Sequence, residues 1–373
     1  MINEFQNKTI LVTGGTGSIG AELVRQLLKS KPKQIRVLSR NETRQYHLLE
    51  ALRYPKNLRM LIGDIRDQER LHLAFKNVDI VFHAAALKHV PFCEYNPSEA
   101  MKTNIVGSHN IIDAALHAGV EKIIAISTDK VANPLNVLGA SKLMMEKLFI
   151  NSSFFLGDKM KLACVRFGNV AWADGSVLPM WVKQVEASGA INVTNKDATR
   201  FLMSIKQAVS LTLKAAQLCS GGEIFILKMP SIRLGDLASI FIKKYYSGKK
   251  MEPHGQARGT ITHSQAWRLD RGAESSPRRP NHPRLKQRSS GAVIKIKYIG
   301  DRVGDKLHEA LMGSNDSNKE AWVNNEMLIL VPTANIHNLV SEPRFYEGFQ
   351  KITSGLSFSS EDYLDIKKIE RII

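Results

Sequence analysis

The feature that most constrains this chain is a glycine-rich turn that directly follows its first apolar run. Thr9–Thr13 is followed by glycines spaced three residues apart, and then by an amphipathic segment. Such glycines allow a tight turn and a close approach of backbone to a pyrophosphate, and a helix that begins there supplies N–H groups and positive potential. A merely structural turn is the alternative, but the position after a strand favours a dinucleotide site. The cofactor-binding candidates are Gly14, Thr16, Gly17, Ser18, Ile19 and Gly20.

The first 170 residues alternate short β-branched runs with helical patterns, which is typical of βαβ units and a parallel sheet. We predict strands near Thr9–Thr13, Gln34–Ser39, Leu58–Ile62, Asp79–Ala84, Lys122–Ser127 and Lys161–Arg166. The fold class is therefore α/β, with a Rossmann-type doubly wound parallel sheet over residues 1–170. A smaller C-terminal α/β substrate-binding lobe is expected over residues 171–373. Its predicted elements are helices Leu178–Ser188, Ile205–Leu218, Leu234–Tyr246 and Ser360–Ile372, and strands Glu223–Leu227 and Ala292–Ile299.

Apolar residues recur at three-to-four-residue spacing in two of the helical segments. They are Ile19, Leu23 and Leu27 in the first segment, and Met101, Ile105 and Ile112 in the second. Helical faces of this kind pack against a sheet. We therefore expect these six side chains to lie in the core.

The chain is basic, and its charge is unevenly distributed. The net charge is +17, and ten Lys and Arg residues against three Asp and Glu give the segment from Lys249 to Arg288 a net charge of +7. Residues 251–290 are rich in Arg, Pro, Ser, His and Gly and show no period, so we predict a disordered, dispensable insertion. A nucleic-acid or membrane-surface contact and a reading-frame artefact are the alternatives. Nucleic acid is the less favoured partner, and the basic remainder favours phosphate-bearing ligands.

Targeting and redox features indicate a cytoplasmic protein without a membrane partner. Apolar stretches such as Ile80–Leu87 fall short of the roughly 20 residues that a membrane helix needs. The N-terminus lacks the apolar core of a secretory signal. Cys93, Cys164 and Cys219 are odd in number and form no Cys-x-x-Cys pair, which argues against a disulfide framework and against a zinc site. We expect no metal, and cysteines that are small core residues.

The ends of the second and third predicted strands bear on which dinucleotide is bound. An NAD enzyme usually carries an acid after the second strand, whereas this chain has Ser39-Arg40 followed by Arg44. A hydroxyl and a cation suit a 2′-phosphate, which favours NADP over NAD. The alternative is that Arg40 is a solvated surface charge. Asp64 and Ile65 follow the third strand, where a carboxylate could receive the adenine amino group, although Asp64 could equally cap a helix.

Motifs further along the chain identify a family. They are His83-Ala-Ala-Ala-Leu-Lys-His-Val-Pro91, Glu94-Tyr-Asn-Pro97, Lys102-Thr-Asn104, Ser127-Thr-Asp-Lys130, Gly139-Ala-Ser-Lys142, Arg166-Phe-Gly-Asn-Val170, Gly175-Ser-Val177, Thr199-Arg-Phe201, Gly222-Glu-Ile-Phe225, Lys228-Met-Pro230 and the run from Arg302 to Glu309. Together they resemble the UDP-N-acetylglucosamine 4,6-dehydratases among the polysaccharide biosynthesis proteins, which are extended short-chain dehydrogenases and include inverting enzymes. The resemblance covers nearly all of the chain except the basic segment.

The resemblance implies a hydride transfer followed by an elimination. In such enzymes a hydride leaves C4 of the sugar for NADP⁺, the ketone acidifies the C5 proton, and water is lost across C5 and C6. The loss of water needs an acid for the 6-hydroxyl and a base for the C5 proton. The resemblance assigns these roles to Asp129 and Lys130 and places Thr128 among the catalytic residues. We expect a close pair in which burial lowers the pKa of Lys130; a plain surface ion pair is the disfavoured alternative.

The resemblance assigns Lys142 to the nicotinamide ribose and to lowering the pKa of a neighbouring phenol. That phenol is missing here, because Leu138 stands four residues earlier, where the usual tyrosine lies. A leucine can neither donate nor accept a proton. Some relatives carry methionine at this position, so an active enzyme is still expected. We expect Asp129, Lys130 or a bound water to take the proton of the C4 hydroxyl.

The resemblance also implies contacts to the substrate and to the rest of the cofactor. Asn169 matches a residue that approaches the sugar or its phosphate. Arg200 and Arg302 match arginines that grip the diphosphate, and a planar guanidinium suits phosphate oxygens. Lys88 is a candidate for both cofactor and substrate, although it could be a solvated loop cation, and Ala84 is a further cofactor-binding candidate.

These observations favour a lyase that acts on a UDP-sugar and consumes no net cofactor. A C4 epimerase or reductase on the same scaffold and a catalytically silent NADP-binding protein are the alternatives. The pair Asp129 and Lys130 favours dehydration, because an epimerase needs no acid at C6. Family likeness suggests a homo-oligomer. The C5 configuration of the product and the hexosamine itself are left open.

Overall fold

The buried apolar runs of the chain form β-strands in the computed structural model, which describes residues 4–246, 294–332, 345–352 and 358–373. The strands are β1 (Thr9–Thr13), β2 (Gln34–Ser39), β3 (Leu58–Ile62), β4 (Ile80–His83), β5 (Lys122–Ile126), β6 (Lys161–Arg166), β7 (Asn169–Val170), β8 (Ala190–Val193), β9 (Thr199–Met203), β10 (Ile224–Leu227), β11 (Ser231–Arg233), β12 (Lys295–Tyr298), β13 (Lys319–Val323), β14 (Met327–Pro332) and β15 (Gln350–Ile352). The strands predicted for the first 170 residues agree with β1 to β6 within one residue at each end.

Helices connect most of these strands, as the alternating pattern predicts. They are α1 (Ser18–Leu28), α2 (Glu42–Ala51), α3 (Gln68–Phe75), α4 (Val90–Tyr95), α5 (Pro97–Met101), α6 (Gly107–Ala118), α7 (Val137–Leu156), α8 (Val177–Ser188), α9 (Ile205–Leu218), α10 (Leu234–Tyr246) and α11 (Ile366–Ile372). A π-helical turn over Lys102–Val106 joins α5 to α6, and short 3₁₀ turns follow β5 and α7.

The large sheet has the order β15-β13-β14-β10-β6-β5-β4-β1-β2-β3 in the described residues. All neighbouring pairs from β10 to β3 are parallel, and β14, β13 and β15 extend the sheet in antiparallel fashion. The strand order reverses between β1 and β4, and the carboxyl ends of the strands at such a point form the crevice where α/β folds bind ligands. The predicted Rossmann-type doubly wound sheet is confirmed.

A second, smaller core lies outside this sheet. Strands β7, β9 and β11 form one small sheet, and β8 pairs with β12. Between them, Trp181 packs against Phe241 with ring centroids 5.4 Å apart, and Ile369 of α11 is fully buried in the same cluster. Strands β10, β13, β14 and β15 come after residue 170 but belong to the large sheet of the first half. The division of the chain at residue 170 therefore stays a prediction. None of the helices within the described ranges has the length and apolarity to cross a membrane.

Two local expectations are wrong. Met101 is 47% exposed rather than buried, because the π-helical turn that begins at Lys102 changes the phase of the helix and turns Thr103 and Asn104 inward instead. The C-terminal helix begins at Ile366 and not at Ser360, since Asp365 caps it by accepting a hydrogen bond from the Lys368 backbone. The predicted disordered insertion at 251–290 and the first residues of the strand predicted from Ala292 lie outside the described residues.

A buried ionic network attaches residues 311–319 to the large sheet. Arg166, at the end of β6, donates to both carboxylate oxygens of Glu146 at 3.2 and 2.7 Å and to Asp316 Oδ2 at 2.8 Å. It also donates to the Leu311 carbonyl at 2.8 Å, and Lys319 donates to Asp316 Oδ1 at 2.8 Å. This network places the preceding run from Arg302 to Glu309 over the carboxyl end of the sheet. The three cysteines are free thiols and buried, as predicted.

Candidate active site

The glycine turn lies at the carboxyl end of β1 and opens α1. Gly14 has a φ of 65°, and a Cβ there would lie 2.7 Å from the backbone nitrogen of Ala85. Gly20 packs against the Gly14 carbonyl so closely that any side chain would collide with it. Gly17 is the N-cap of α1 and brings no side-chain cap, so the first N–H groups of the helix are available to an anionic ligand. The turn therefore has the geometry that a pyrophosphate requires.

The remaining cofactor candidates surround this turn. Thr16, Ser18 and Ile19 belong to the turn and to the start of α1, Ala84 follows β4, and Ile65 is buried beyond β3 with its side chain against Gly107. Beneath them, His83 is fully buried, and its Nδ1 lies 2.8 Å from Thr13 Oγ1. Burial lowers the pKa of His83 to about 3, so this ring is neutral and belongs to the supporting structure.

The ends of β2 and β3 bring two predicted residues together. The side chain of Arg40 is 59% exposed and lies 3.9 Å from Asp64. Asp64 accepts two hydrogen bonds from the Arg66 guanidinium, at 2.7 and 3.0 Å, and one from the Arg66 backbone at 3.0 Å. Burial raises the pKa of Asp64, but Arg66 outweighs this effect and the pKa is lowered. The alternative that Asp64 caps a helix is wrong, because Asp67 is the N-cap of α3.

The predicted catalytic pair lies directly after β5. Asp129 is fully buried, and Lys130 Nζ donates to its Oδ1 at 3.1 Å. The hydroxyl of Thr128 donates to the same oxygen at 2.9 Å. The alternative of a plain surface ion pair is therefore wrong, because surface pairs keep both partners in solvent and Asp129 has none.

A second buried carboxylate meets this pair. Glu309 Oε1 lies 3.3 Å from Lys130 Nζ and 3.7 Å from Arg200 Nε, and the Glu309 residue is 3% exposed. Sequence reasoning did not assign it a role, although it closes the run that begins at Arg302. Among the described residues, Oδ2 of Asp129 and Oε2 of Glu309 have no hydrogen-bond partner. Buried polar atoms without partners are rare, and such atoms often mark a site that binds something else.

The electrostatics of this cluster correct one expectation. Burial lowers the pKa of Lys130, but the charges of Asp129 and Glu309 outweigh burial, so that the pKa is raised and the predicted lowering is wrong. Burial raises the pKa of Asp129. Burial acts in the same direction on Glu309, but Lys130 and Arg200 outweigh it and the pKa of Glu309 is lowered. Asp129 is thus the carboxyl of the two that keeps a proton more readily.

Lys142 shows the lowered pKa that was expected of Lys130. Its Nζ donates to the Ile126 carbonyl at 2.7 Å and contacts Met145 Sδ at 3.2 Å, and burial lowers its pKa to about 8. One turn earlier, Leu138 is 3% exposed and packs in a small apolar cluster with Cys93 and other aliphatic side chains. The position of the missing tyrosine is therefore a packed apolar site.

The structure places two of the predicted substrate residues on neighbouring strands and leaves the third apart, because Asn169 pairs with Leu202, two residues from Arg200. Asn169 lies half-buried on β7, and Arg200 on β9 has a side chain that is 12% exposed and close to Glu309. Arg302 is exposed, and within the described ranges its guanidinium forms no hydrogen bond or ion pair with Asp129 or Glu309. Lys306 instead reaches the site, where its ammonium donates to the Ala132 carbonyl. Sequence reasoning missed Lys306, which stands in the same run as Arg302.

A loop around Asp174 crosses the glycine turn. The Asp174 backbone N–H donates to Ser18 Oγ at 2.9 Å, and Lys88 Nζ donates to the Asp174 carbonyl at 2.6 Å. The Asp174 carboxylate lies 3.9 Å from Arg44, and Gly175 is in contact with the His89 ring. Lys88 is thus bonded to this loop although it is exposed, and its role towards cofactor or substrate stays a prediction. Sequence reasoning noted the motif Gly175-Ser-Val177 but did not predict this loop.

Comparisons with known proteins agree with these features. Residues 10–263 match the family described as polysaccharide biosynthesis protein. A UDP-N-acetylglucosamine 4,6-dehydratase (inverting) of Campylobacter jejuni is 37% identical over 363 residues, covering 96% of this chain and 94% of that protein. A protein of Methanocaldococcus jannaschii, named as an uncharacterized membrane protein, is 47% identical over 311 residues, covering 83% and 82%. A UDP-glucose 4-epimerase of Rickettsia akari is 35% identical over 320 residues, covering 84% and 80%.

A solved structure matches over the whole length. The X-ray structure of Pen from Bacillus thuringiensis covers 98% of this chain, and the chain covers 97% of that protein. The two share 34% of their residues and superpose with a TM-score of 0.80. The arrangement of the large sheet and the smaller lobe is therefore one that a solved relative also adopts.

Proposed function

The chain belongs to the polysaccharide biosynthesis proteins, a family of extended short-chain dehydrogenases, and from that premise we propose that it is a nucleotide-sugar 4,6-dehydratase. Its proposed substrate is UDP-N-acetylglucosamine, and its proposed cofactor is NADP. The observation that carries the proposal is the buried pair of Asp129 and Lys130 at the carboxyl end of β5. A carboxyl and an amine side by side, close to a dinucleotide turn, are what the loss of water from a sugar needs.

The residues present fit the cofactor. The close backbone approach at Gly14 and the uncapped start of α1 suit a pyrophosphate. Lys142 is proposed to hold a ribose hydroxyl. Burial lowers its pKa to about 8, and its amine donates to the Ile126 carbonyl and to no carboxylate in the described part of the chain. When bound, the nicotinamide would accept a hydride from C4 of the sugar and return it to C6.

The elimination is assigned to the buried pair. Because burial raises the pKa of Asp129, we assign its carboxyl as the acid that gives a proton to the departing 6-hydroxyl. Thr128 keeps the carboxyl oriented by donating to Oδ1, which leaves Oδ2 for the substrate. Lys130 lies next to it as the base for the C5 proton. Arg200, half-buried beside Glu309, is proposed to contact the diphosphate of the substrate.

The choice of NADP rests on the ends of β2 and α2. Ser39, Arg40 and Arg44 would hold a 2′-phosphate, and the side chains of Arg40 and Arg44 are 59% and 57% exposed and thus accessible to such a group. Asp64 is already occupied by Arg66, so it is a weak partner for a ribose hydroxyl. We expect Arg40→Ala to weaken NADP binding by about tenfold, the loss of one charge-assisted contact, and to change NAD binding little.

A C4 epimerase is the second candidate, favoured by the Rickettsia akari relative named as a UDP-glucose 4-epimerase. An epimerase returns the hydride to C4 and needs no acid at C6. The buried carboxyl of Asp129, whose pKa is raised by burial, would have no task as an acid in such a reaction. The second candidate therefore explains the cofactor turn and leaves the acid unexplained.

One incubation separates these candidates. The purified chain with NADP is given UDP-N-acetylglucosamine or UDP-glucose, and the products are followed by mass spectrometry and by keto-sugar absorbance. Loss of one water supports the dehydratase, and a product of unchanged mass with inverted C4 supports the epimerase. Cofactor binding without any turnover would support a silent NADP-binding protein. Proton NMR of the dehydrated product then gives its C5 configuration.

A further inference from the structure

We propose that Glu309 is a positioning residue for the elimination and the proton partner of Lys130. The lysine must lose a proton before it can act as a base, and Glu309 takes that proton while Asp129 keeps its own. This inference rests on the proposed dehydratase function. It assigns a role to a buried carboxylate that comes from the opposite side of the site.

The geometry places Lys130 between two carboxylates. Its Nζ lies 3.1 Å from Asp129 Oδ1 and 3.3 Å from Glu309 Oε1, so one ammonium is shared almost equally. Asp129 stands one residue earlier on the same strand end, whereas Glu309 arrives from a run 179 positions away in sequence. Both carboxylates are buried, so water cannot replace Lys130 as the partner of either one.

The backbone of Glu309 is held in place by a separate set of bonds. Its N–H donates to Ser360 Oγ at 2.8 Å, and its carbonyl accepts from the Ser360 N–H at 2.7 Å. Ser360 Oγ lies 2.6 Å from the Thr199 hydroxyl. The carboxylate is therefore presented to Lys130 by a fixed backbone, and a substitution of its head group alone need not disturb that backbone.

The surrounding charges decide which carboxyl is ionised. Glu309 faces Lys130 after β5, Arg200 on β9 and Lys306 on its own run, whereas Asp129 is bonded to Lys130 alone among these cations. Three cations favour the ionised form of Glu309, while burial favours the protonated form of Asp129. Of the two carboxyls, Glu309 is thus the one that more readily carries the charge opposite Lys130.

The proton balance follows from this arrangement. An N–H bond of the Lys130 ammonium breaks as an O–H bond forms on Glu309, which leaves a neutral amine and a neutral carboxyl. This transfer runs against the pKa directions of the resting site, since the pKa of Lys130 is raised and that of Glu309 is lowered, so the neutral pair is a transient state of the reaction. The amine takes the C5 proton, the C5–H electron pair forms the C5–C6 double bond, and the 6-hydroxyl leaves with the proton of Asp129 as water. The Lys130 ammonium then gives its proton back to C5 as the hydride returns to C6, and Glu309 returns its proton to the neutral lysine. The proton released when the C4 hydroxyl is oxidised replaces the one that Asp129 gave away.

The test compares Glu309→Gln with Asp129→Asn in D₂O, with UDP-N-acetylglucosamine and NADP. In Glu309→Gln, Lys130 is left with Asp129, both become charged, and acid and base are disabled together. We expect kcat to fall about 100-fold with KM within about threefold. Reduced nicotinamide should accumulate, and no deuterium should appear at C5. Asp129→Asn should also accumulate reduced nicotinamide, but it should exchange deuterium into C5 because its base is intact.

Controls separate a chemical role from a structural one. Glu361→Gln removes a carboxylate that lies 3.4 Å from His308 and is 55% exposed, so it should turn over like the wild type. Glu309→Asp keeps the charge and should recover at least a tenth of the wild-type rate. If Glu309→Gln melts well below the wild type, the measurement on Glu309→Asp decides. A Glu309→Asp variant that is folded but as slow as Glu309→Gln overturns the proposal.

Failure of the inference and failure of the proposed function look different. If the wild type loses water and Glu309→Gln does so at the same rate, or exchanges deuterium into C5 as Asp129→Asn does, the role of Glu309 is overturned alone. If the wild type produces neither reduced nicotinamide nor a keto sugar from the UDP-sugars, the dehydratase function falls and the role of Glu309 falls with it.

Discussion

Two buried ionic clusters lie at neighbouring strand ends, and they differ in how completely their oxygens are bonded. In the Arg166 cluster, both carboxylate oxygens of Glu146 and both of Asp316 accept hydrogen bonds. In the Lys130 cluster, one oxygen of Asp129 and one of Glu309 have no partner among the residues that the structure describes. Both clusters attach a late segment of the chain to the large sheet. The Lys130 cluster thus has two carboxylate oxygens left to bind a ligand, whereas all four carboxylate oxygens of the Arg166 cluster are bonded.

A cluster whose carboxylate oxygens are all hydrogen-bonded is expected to have a different role from one with unbonded oxygens. A buried guanidinium that bonds all its neighbours holds two segments in register and has no capacity left for a ligand. A buried carboxyl with a free oxygen carries a desolvation cost that a bound substrate can offset. The Arg166 cluster is therefore expected to govern stability, and the Lys130 cluster to govern turnover. The following substitutions test that separation.

The largest effect is expected from Arg166→Met. It leaves Glu146 and Asp316 as buried carboxyls without their main cation, and removing one partner from a buried ion pair typically costs about 3–5 kcal/mol. Urea denaturation should show that loss in the free energy of unfolding. Lys351→Met, which breaks a 2.8 Å pair with Glu320 at a half-exposed site, should cost under about 1 kcal/mol. Equal losses in the two variants would contradict the structural role of the Arg166 cluster.

Asp129→Asn should give the opposite result. Removing a general acid typically slows a reaction by about 10²- to 10⁴-fold, so water loss should fall by at least about a hundredfold. Stability should hold or rise, because a buried carboxyl with one unpartnered oxygen is replaced by a neutral amide. Steady-state turnover and thermal melting of the same sample provide both numbers. A variant that is destabilised but still fast would show that the two clusters do not divide these tasks.

The pH dependence of stability separates Asp316 from Asp129. Burial raises the pKa of Asp316, but Arg166 outweighs burial and the pKa is lowered to about 2, below the value of about 3.9 in an unfolded chain. A carboxyl with a depressed pKa contributes stability above the unfolded value, and that contribution is lost as the pH falls through the folded value. Each pKa unit corresponds to about 1.4 kcal/mol, so about 2 to 3 kcal/mol is at stake.

Asp316→Asn should therefore be less stable than the wild type at pH 7, and the gap should close between about pH 4 and pH 2. Asp129 has a raised pKa, so its ionisation disfavours folding as the pH rises above the unfolded value. Asp129→Asn should consequently gain relative to the wild type as the pH rises. Melting temperatures across this range check both signs. A gap for Asp316→Asn that stays constant with pH would contradict the assignment of its charge.

Sequence reasoning reached the parts of this molecule that depend on local pattern. The strands β1 to β6 and the glycine turn follow from period and spacing, and the roles of Asp129 and Lys130 follow from the resemblance to a family. It did not reach Glu309 or Lys306, because their significance depends on where a distant run folds back. It also assigned the lowered pKa to the wrong lysine. The pKa of Lys130 is raised because Glu309, which is distant in sequence, adds a second negative charge beside it. The pKa of Lys142 is lowered because its side chain is buried.

The helix phase around Met101 failed for a related reason. A period of 3.6 residues predicts which side chains face the core only while the helix keeps its winding. The π-helical turn inserts an extra residue, and Asn104 then bonds Leu87 N–H at 2.9 Å and Ser141 Oγ at 3.0 Å. The buried amide of Asn104 thus holds the loop after β4 in place. Met101, which the period placed on the apolar face, is turned outward instead.

The smallest effect is expected from Leu138→Tyr, which brings a phenol into the apolar cluster near the two ionic ones. The site is packed and 3% exposed, and adding atoms to a packed core costs about 1–3 kcal/mol. Leu138→Met is the matched control, since it conserves volume. We expect turnover and its pH profile to match the wild type in both variants, with only the tyrosine variant melting lower. If the phenol instead raises turnover or adds a titration to the profile, this position belongs to the proton path of the C4 hydroxyl, and the chemistry extends beyond the Lys130 cluster.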